Sequence, residues 1–265
     1  MTRLLPSHRP LLLFMVLAAA LLACGAPASA PPEIVFEPTV RPPEAGVSPL
    51  PPGEAPVSAT SQPQLTSSIF RDDFNGTLDA GWTWFTSPEP GYSLTHTAGW
   101  LRLNLSSGSF FGGTPPENLL LRPAPQADFD LNAYLRFSPR NNFEIAGLAV
   151  LFDEDSLLQF GRGGCFLETP TSACIGDGLY FDNIQDGAAV GSNFAAPTAL
   201  GLDYVLRLQR QGNTYTASYA DSNGGSGVVG SHTVDKSPVS IGLIAAQSTV
   251  ASPYADFDYF EMTSQ

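Results

Sequence analysis

From Ser67 onward, no stretch of ten residues holds a helical apolar period without meeting a Gly, a Pro or a β-branched cluster. Alternation at every second residue recurs instead. Leu101, Leu103 and Leu105 alternate with Arg102 and Asn104, and Tyr204, Leu206 and Leu208 alternate with Arg207 and Gln209. Side chains on a strand point to opposite faces in turn, so this pattern predicts strands with one buried face. Gln211-Gly212-Asn213 followed by Tyr215, Ala217 and Tyr219 predicts a hairpin. Further strands are predicted at Leu131 to Phe137, Ile145 to Phe152, Leu179 to Asn183, Val239 to Ala246 and Tyr254 to Met262, with turns at Ser106-Ser107-Gly108 and Ser222-Asn223-Gly224-Gly225. The 25 Gly and 24 Pro among 265 residues are too many breakers for a helical bundle, while 43% hydrophobic content is too high for a wholly disordered chain. Many strands without helices leave an all-β domain, either a two-sheet antiparallel sandwich or a closed barrel.

The first 66 residues read differently. Arg3 and Arg9 precede an apolar run from Leu11 to Ala23, which has signal-peptide length and is short for a membrane span. It ends at Leu21-Leu22-Ala23-Cys24-Gly25, which resembles a bacterial lipobox. That resemblance implies that residues 1–23 are a lipoprotein signal peptide and that Cys24 carries the lipid anchor, palmitate included, at the outer surface of the cell envelope. The alternative is a secreted protein cut near Ala28-Ser29-Ala30. Residues 24–66 are crowded with Pro, Ala and Ser and lack apolar periodicity, so they read as an extended, disordered tether. Residues 67–265 form the folded domain.

The domain's two ends carry a resemblance. Arg71-Asp72-Asp73-Phe74-Asn75-Gly76-Thr77-Leu78-Asp79, with Trp82 and Trp84 following, is similar to the opening strand of concanavalin A-like jelly rolls. Ala255-Asp256-Phe257-Asp258-Tyr259-Phe260-Glu261-Met262 is similar to their closing strand. Leu206 to Tyr215 and Ala146-Gly147-Leu148 also match the C-terminal sandwich of family 43 β-xylosidases and laminin G-like modules. The resemblance implies a two-sheet sandwich in which the first and last strands lie side by side. In family 16 glycoside hydrolases the Asp matching Asp258 ligates a structural calcium, which makes Asp258 a metal candidate. Its other reading is a hydrogen bond across the strand pair.

Catalysis is harder to place. Hydrolysis of a glycosidic bond needs two carboxylates flanking it, and the Glu-x-Asp-x-x-Glu strand of family 16 has no counterpart here. Family 43 catalysis resides in a propeller domain that these residues do not resemble. Asp153-Glu154-Asp155 reads as a solvated turn, and no residue is assigned a catalytic role. If the domain is a diverged hydrolase or lyase, its carboxylates come from separate strands, for instance Glu144 with Asp182 or Glu168. His96 and His232 are far apart and read as surface or strand-edge residues, and Gly224-Gly225-Ser226-Gly227 reads as a flexible turn.

Cys165 and Cys174, in an exported domain, read as one local disulfide worth about 2–3 kcal/mol. Sugar sites combine aromatic faces with polar groups that fix hydroxyls. Phe110 and Phe111 lie in a loop rich in glycine, where they are not expected both to be buried, and Tyr92, Tyr180, Arg162 and Asn183 are further ligand candidates. Trp82, Trp84 and Trp100 are read mainly as core or sheet-edge residues. The net charge of −13 becomes more negative once Arg3 and Arg9 leave with the leader. Such a surface repels nucleic acid and anionic lipid, so the expected partners are the membrane through the N-terminal lipid and a polysaccharide or other extracellular ligand. The sequence leaves the oligomeric state open. The function expected is a non-catalytic, surface-anchored binding module, with a glycan-active enzyme or a structural adhesion protein as alternatives.

Overall fold

The alternating segments fold as strands in a computed structural model that describes residues 68–86, 91–199, 201, 203–250 and 253–264. Cys24, the leader and the tether lie outside the described residues. Two antiparallel sheets form, with no helix among the described residues. The first sheet contains β1 (Ser68–Asp72), β3 (Tyr92–Ser93), β4 (Leu101–Asn104), β6 (Phe129–Arg136), β12 (Tyr204–Gln211), β13 (Thr214–Asp221), β14 (Ser226–Thr233) and β16 (Tyr254–Ser264). The second contains β2 (Thr83–Trp84), β5 (Leu119–Pro123), β7 (Ile145–Asp153), β8 (Ser156–Cys165), β9 (Gly176–Gln185), β10 (Ala188–Ala189), β11 (Phe194–Pro197) and β15 (Ser240–Ala246).

The closing strand β16 organises the first sheet. One edge pairs with β6, and the other pairs with β4 in its first half and with β1 in its second. The opening and closing strands are therefore neighbours, as the resemblance implies. Asp72 fixes the turn that follows β1. Its buried carboxylate accepts hydrogen bonds from Phe74 N–H (2.8 Å), Asp79 N–H (3.0 Å) and the Trp82 indole N–H (2.9 Å). This holds Phe74, fully buried at φ 51°, in the core, and Trp82 packs edge-on to Phe70 and Phe260.

Between the sheets, Leu101, Leu103, Leu131, Leu135, Leu206 and Leu208 of the first meet Leu148, Val150, Leu158, Phe160, Phe181 and Leu243 of the second in one core. At Gly147 and Gly161, paired across β7 and β8, a Cβ would strike the opposite backbone at 2.1 and 2.0 Å, so only glycine permits this approach. Several sequence expectations shift. Ser226 and Gly227, read as turn, open strand β14, because they pair with Ala220 and Tyr219. His232 lies on the edge strand β14, as one of its two readings has it, but is not at the surface. It is buried between Phe181 and Phe194, with Nε2 3.2 Å from the Phe181 carbonyl oxygen.

The outer faces of the two sheets differ in kind. The first carries ion pairs: Arg102 is bidentate to Asp256 (2.7 Å each), Arg136 grips Asp203 and Arg207 meets Asp130. The second carries Leu119, Leu121, Ile145, Ala149, Leu151, Leu157, Ile184 and Ile244, which form a second buried apolar cluster. An apolar outer face must be covered, and the covering segments create the site. Asp72→Ala leaves three donors without an acceptor, so it is expected to cost about 2–4 kcal/mol, read as a lower denaturation midpoint at unchanged m-value.

Candidate glycan-binding groove

The cover on the second sheet is the 105–118 loop between β4 and β5. It leaves the rim where Ser106 N–H donates to the Ala245 carbonyl (3.2 Å) and reaches the other end of β9, where Gly112 N–H donates to the Gly187 carbonyl (3.0 Å). The turn depends on Gly108 at φ 103°, where a Cβ would lie 2.9 Å from the Thr114 carbonyl oxygen. Phe110 is the plug: it is 1% exposed, packs on Phe85 at 5.8 Å and joins the apolar cluster of the sheet face.

The loop covers only part of the face. Beyond it a groove of ≈ 600 Å³ remains open toward the rim at which Ala246, Ile145, Gly163 and Gly178 align in adjacent strands. Phe111 on the covering loop and Phe143 on the 137–144 loop line it, 38% and 57% exposed. Exposure of two phenylalanines beside one groove leaves their apolar faces available to a ligand. Tyr180 contributes a buried ring whose hydroxyl is already committed, donating to the Gly176 carbonyl (2.7 Å) and accepting from Ile175 N–H (3.1 Å). The Cys165–Cys174 disulfide is formed, and Cys165 belongs to the groove wall.

Two carboxyl groups line the groove, with opposite environments. Burial pushes Asp182 above the usual carboxylate range, only partly offset by one hydrogen bond from Gln159 Nε2 (2.9 Å). Gln159 in turn faces Gln247 (3.5 Å), giving a polar row of amide and acid groups on an otherwise apolar face. Burial also acts on Glu144, but hydrogen bonds outweigh it and hold its carboxyl below the usual range. Its Oε2 accepts from Arg140 and Asn141 N–H (2.7 and 3.1 Å), and its Oε1 from Asn141 Nδ2 and Ser248 Oγ (2.8 and 3.1 Å). Four bonds fill the roughly four acceptor sites of a carboxylate, so Glu144 is a brace.

What Glu144 braces is strained. Phe143 and Gln247 hold φ 72° and 64°, a region that costs a bulky residue about 1–3 kcal/mol. Both line the groove. The 137–144 loop and the 247–250 segment, tied by the Glu144–Ser248 bond, fix these side chains at the rim.

The sequence candidates fall into two groups. Phe111 and Tyr180 line the groove and Phe110 lies beneath its cover. Tyr92, Arg162 and Asn183 do not join them. Tyr92 packs on Trp84 at 5.3 Å in the inter-sheet core. Arg162 is 1% exposed and bidentate to Asp177 (2.8 and 2.7 Å), because its position on β8 has the parity of Leu158 and Phe160 and faces the other sheet. Asn183 has the same parity as Phe181, and its buried amide oxygen accepts from Gln185 Nε2. Asp182, weighed with Glu144 as a catalytic pair, does share the groove with it; Glu168 is exposed and does not line the groove. Phe143, Gln159 and Gln247 escaped sequence reading. The one available signal was a lone Gln inside the apolar run Leu157-Leu158-Gln159-Phe160.

Among the described residues Asp258 belongs to no group of three side chains close enough to share an ion. Asp258 is the extra residue of a bulge between Phe257 and Tyr259, and neighbouring Asp256 is spent on Arg102. Among the described residues, the group of three carboxylates close enough to share an ion is Asp153, Asp155 and Asp186, and there Lys236 Nζ already holds Asp153 (2.7 Å) and Asp186 (3.0 Å).

Comparison with known proteins supports this architecture. Residues 71–165 match the family model of the β-xylosidase C-terminal concanavalin A-like domain. No curated protein matches the chain significantly. Among solved structures, the Bacteroides ovatus xyloglucan PUL GH43B superposes with a TM-score of 0.62 at 22% identity, over 79% of this chain and 42% of that one. Xylan β-1,4-xylosidase from Bacillus halodurans C-125 gives 0.60 at 18% identity, over 73% and 39%. The β-glucanase of Bacillus licheniformis gives 0.50 at 14%, over 76% and 100%. This chain spans about two fifths of the length of the first two.

The Asp182 environment fixes a pH dependence. Because its folded-state pKa lies above the unfolded value near 4, the native state binds more protons between the two, and stability falls as pH rises through that window. Asp182→Asn removes the cost: urea unfolding is expected to show the variant gaining stability over wild type at pH 8 and little at pH 4. The described domain is a concanavalin A-like jelly roll, and residues 71–165 are similar to the C-terminal domain of β-xylosidases.

Proposed function

We propose that this chain is a non-catalytic lipoprotein, anchored through Cys24 at the outer face of the cell envelope, whose jelly roll binds a glycan in the groove on the second sheet. The observation that carries the reading is the pairing of exposed Phe111 and Phe143 around a floor of Gln159, Asp182 and Gln247. Apolar rings accept the C–H faces of a sugar, while amide and acid groups exchange hydrogen bonds with its hydroxyls. No basic side chain lines the groove among the described residues, which suits an uncharged sugar there. The lipobox-like end of the leader and the Pro-rich tether support display away from the membrane.

One observation favours an enzyme: Glu144 and Asp182 share the groove with pKa values pushed apart, the pattern of an acid and base pair. Against it, a Glu144 with every acceptor site filled has none left for water or a sugar carbon. Incubation with a polysaccharide panel is therefore expected to release no reducing ends.

Affinity electrophoresis through gels containing single polysaccharides tests the binding reading. Wild type is expected to be retarded by at least one. The Phe111→Ala/Phe143→Ala double variant, altered only at exposed side chains, is expected to bind it about tenfold or more weakly, as loss of about 1.4 kcal/mol of stacking implies. Free migration of wild type in every gel would refute it.

A further inference from the structure

The two loops that brace the groove have a second side. Asn142, Phe143, Gln247 and Ser248 face the groove, while their chain neighbours Arg140, Asn141 and Val250 face another cavity of ≈ 420 Å³. Neighbouring residues lie ~3.8 Å apart along the chain, so the two cavities are separated by a ridge one strand of backbone thick. That ridge is clamped by the Glu144–Ser248 bond.

The second cavity differs in charge. Arg136, Arg140, Tyr254 and Asp256 line it, on a chain whose net charge is −13. Two of the guanidinium groups here already have carboxylates. Arg102, stacked 3.5 Å over the Tyr254 ring, is bidentate to Asp256, and Arg136, over Trp100, is bound to Asp203. Arg140 is exposed and forms no ion pair with a described residue, although its backbone N–H is fixed by Glu144. Arg140, with its main chain held by Glu144, and the 47% exposed Tyr254, one face of whose ring Arg102 covers, line this same cavity, so a cation and an aromatic group border one space that an anion could enter.

We propose that this cavity is a subsite for a carboxylate-bearing sugar, a uronate, carried on the same glycan that occupies the neighbouring groove, with Arg140 as the residue that recognises the carboxylate. The proposal rests on the reading of the groove as a glycan site and deepens it to an acid-substituted glycan. A sparsely charged chain fits better than a dense polyanion, because of the two arginines lining this cavity Arg136 is already paired with Asp203, Arg140 alone has no carboxylate partner among the described residues, and the chain's net charge of −13 repels added negative charge. The neutral sugars lie in the groove, which no cationic side chain lines among the described residues; the acid lies across the ridge.

The test compares each polysaccharide with itself. Pectin, alginate and a glucuronate-branched hemicellulose are used before and after chemical reduction of their carboxylates to alcohols, which keeps the backbone and removes the charge. Neutral glucan, mannan and galactan complete the panel. With the full chain, carboxyl reduction of the tightest ligand is expected to weaken binding at least fivefold. Arg140→Met is expected to abolish that difference while binding the reduced form as wild type does, and Arg140→Lys to restore part of it. Raising NaCl from 50 to 500 mM is expected to narrow the wild-type preference. Equal wild-type affinity for native and reduced forms, or a preference that survives Arg140→Met, overturns the subsite and leaves the groove reading standing. Tighter binding of dextran sulfate than of any carboxylated chain overturns the choice of carboxylate. Failure of every polysaccharide in the panel to bind in either form overturns both readings.

Discussion

The second sheet has two apolar faces, and everything distinctive about this domain follows from covering the outer one. A sandwich needs only one apolar face per sheet, as the ion-paired exterior of the first sheet shows. Along β7 and β8 both parities are buried, so the outer face stays dry only if chain is laid across it. The 105–118 loop does this with Phe110 as its plug, and the disulfide hairpin and the rim loops close two further sides. The uncovered remainder is the groove. Its apolar walls are therefore a continuation of the packing that stabilises the fold, with Asp182, Gln159 and Gln247 as a polar row set into it.

Strain is concentrated at the same rim. Phe143 and Gln247 occupy backbone conformations that β-sheet packing does not require, and one buried carboxylate, Glu144, holds both segments through four hydrogen bonds. The exchange is unfavourable for local backbone energy and favourable for display. It keeps a large ring exposed in a fixed position, reducing the side-chain and loop entropy that a ligand would otherwise have to remove. The same clamp sets the thickness of the ridge between the groove and the basic cavity beside it, so one carboxylate governs the geometry of both.

Much of the fold was legible because strand alternation is local. Leu101 to Leu105 and Tyr204 to Gln209 announce their buried faces without knowledge of any partner, and the Gly212-Asn213 turn fixes its hairpin register. The ends of the domain were legible through their resemblance, and Asp72 and Trp82 owe their places in that motif to a hydrogen bond only seven to ten residues long in sequence. Less was legible in the site. Phe110 and Phe111 were expected not both to be buried, but which one plugs and which one protrudes depends on where the loop meets Gly187, 75 residues beyond its partner Gly112. Arg162 and Asn183 misled because a polar residue on a strand gives no sign of which sheet face its parity selects.

By itself the sequence determined the strand-rich class of the domain, the Pro-rich composition of its first 66 residues, and the two cysteines that meet. These depend on local period, local composition and short separations. The tertiary structure alone decided which face of which sheet opens as a groove, that Glu144 is spent as a brace while Asp182 is left on the floor, and that Arg140, with no carboxylate partner among the described residues, lines a cavity that Tyr254 also lines. Those outcomes depend on strand register and on loops meeting across more than a hundred residues, as Glu144 and Ser248 do, and long-range register is not written in any one segment of the chain.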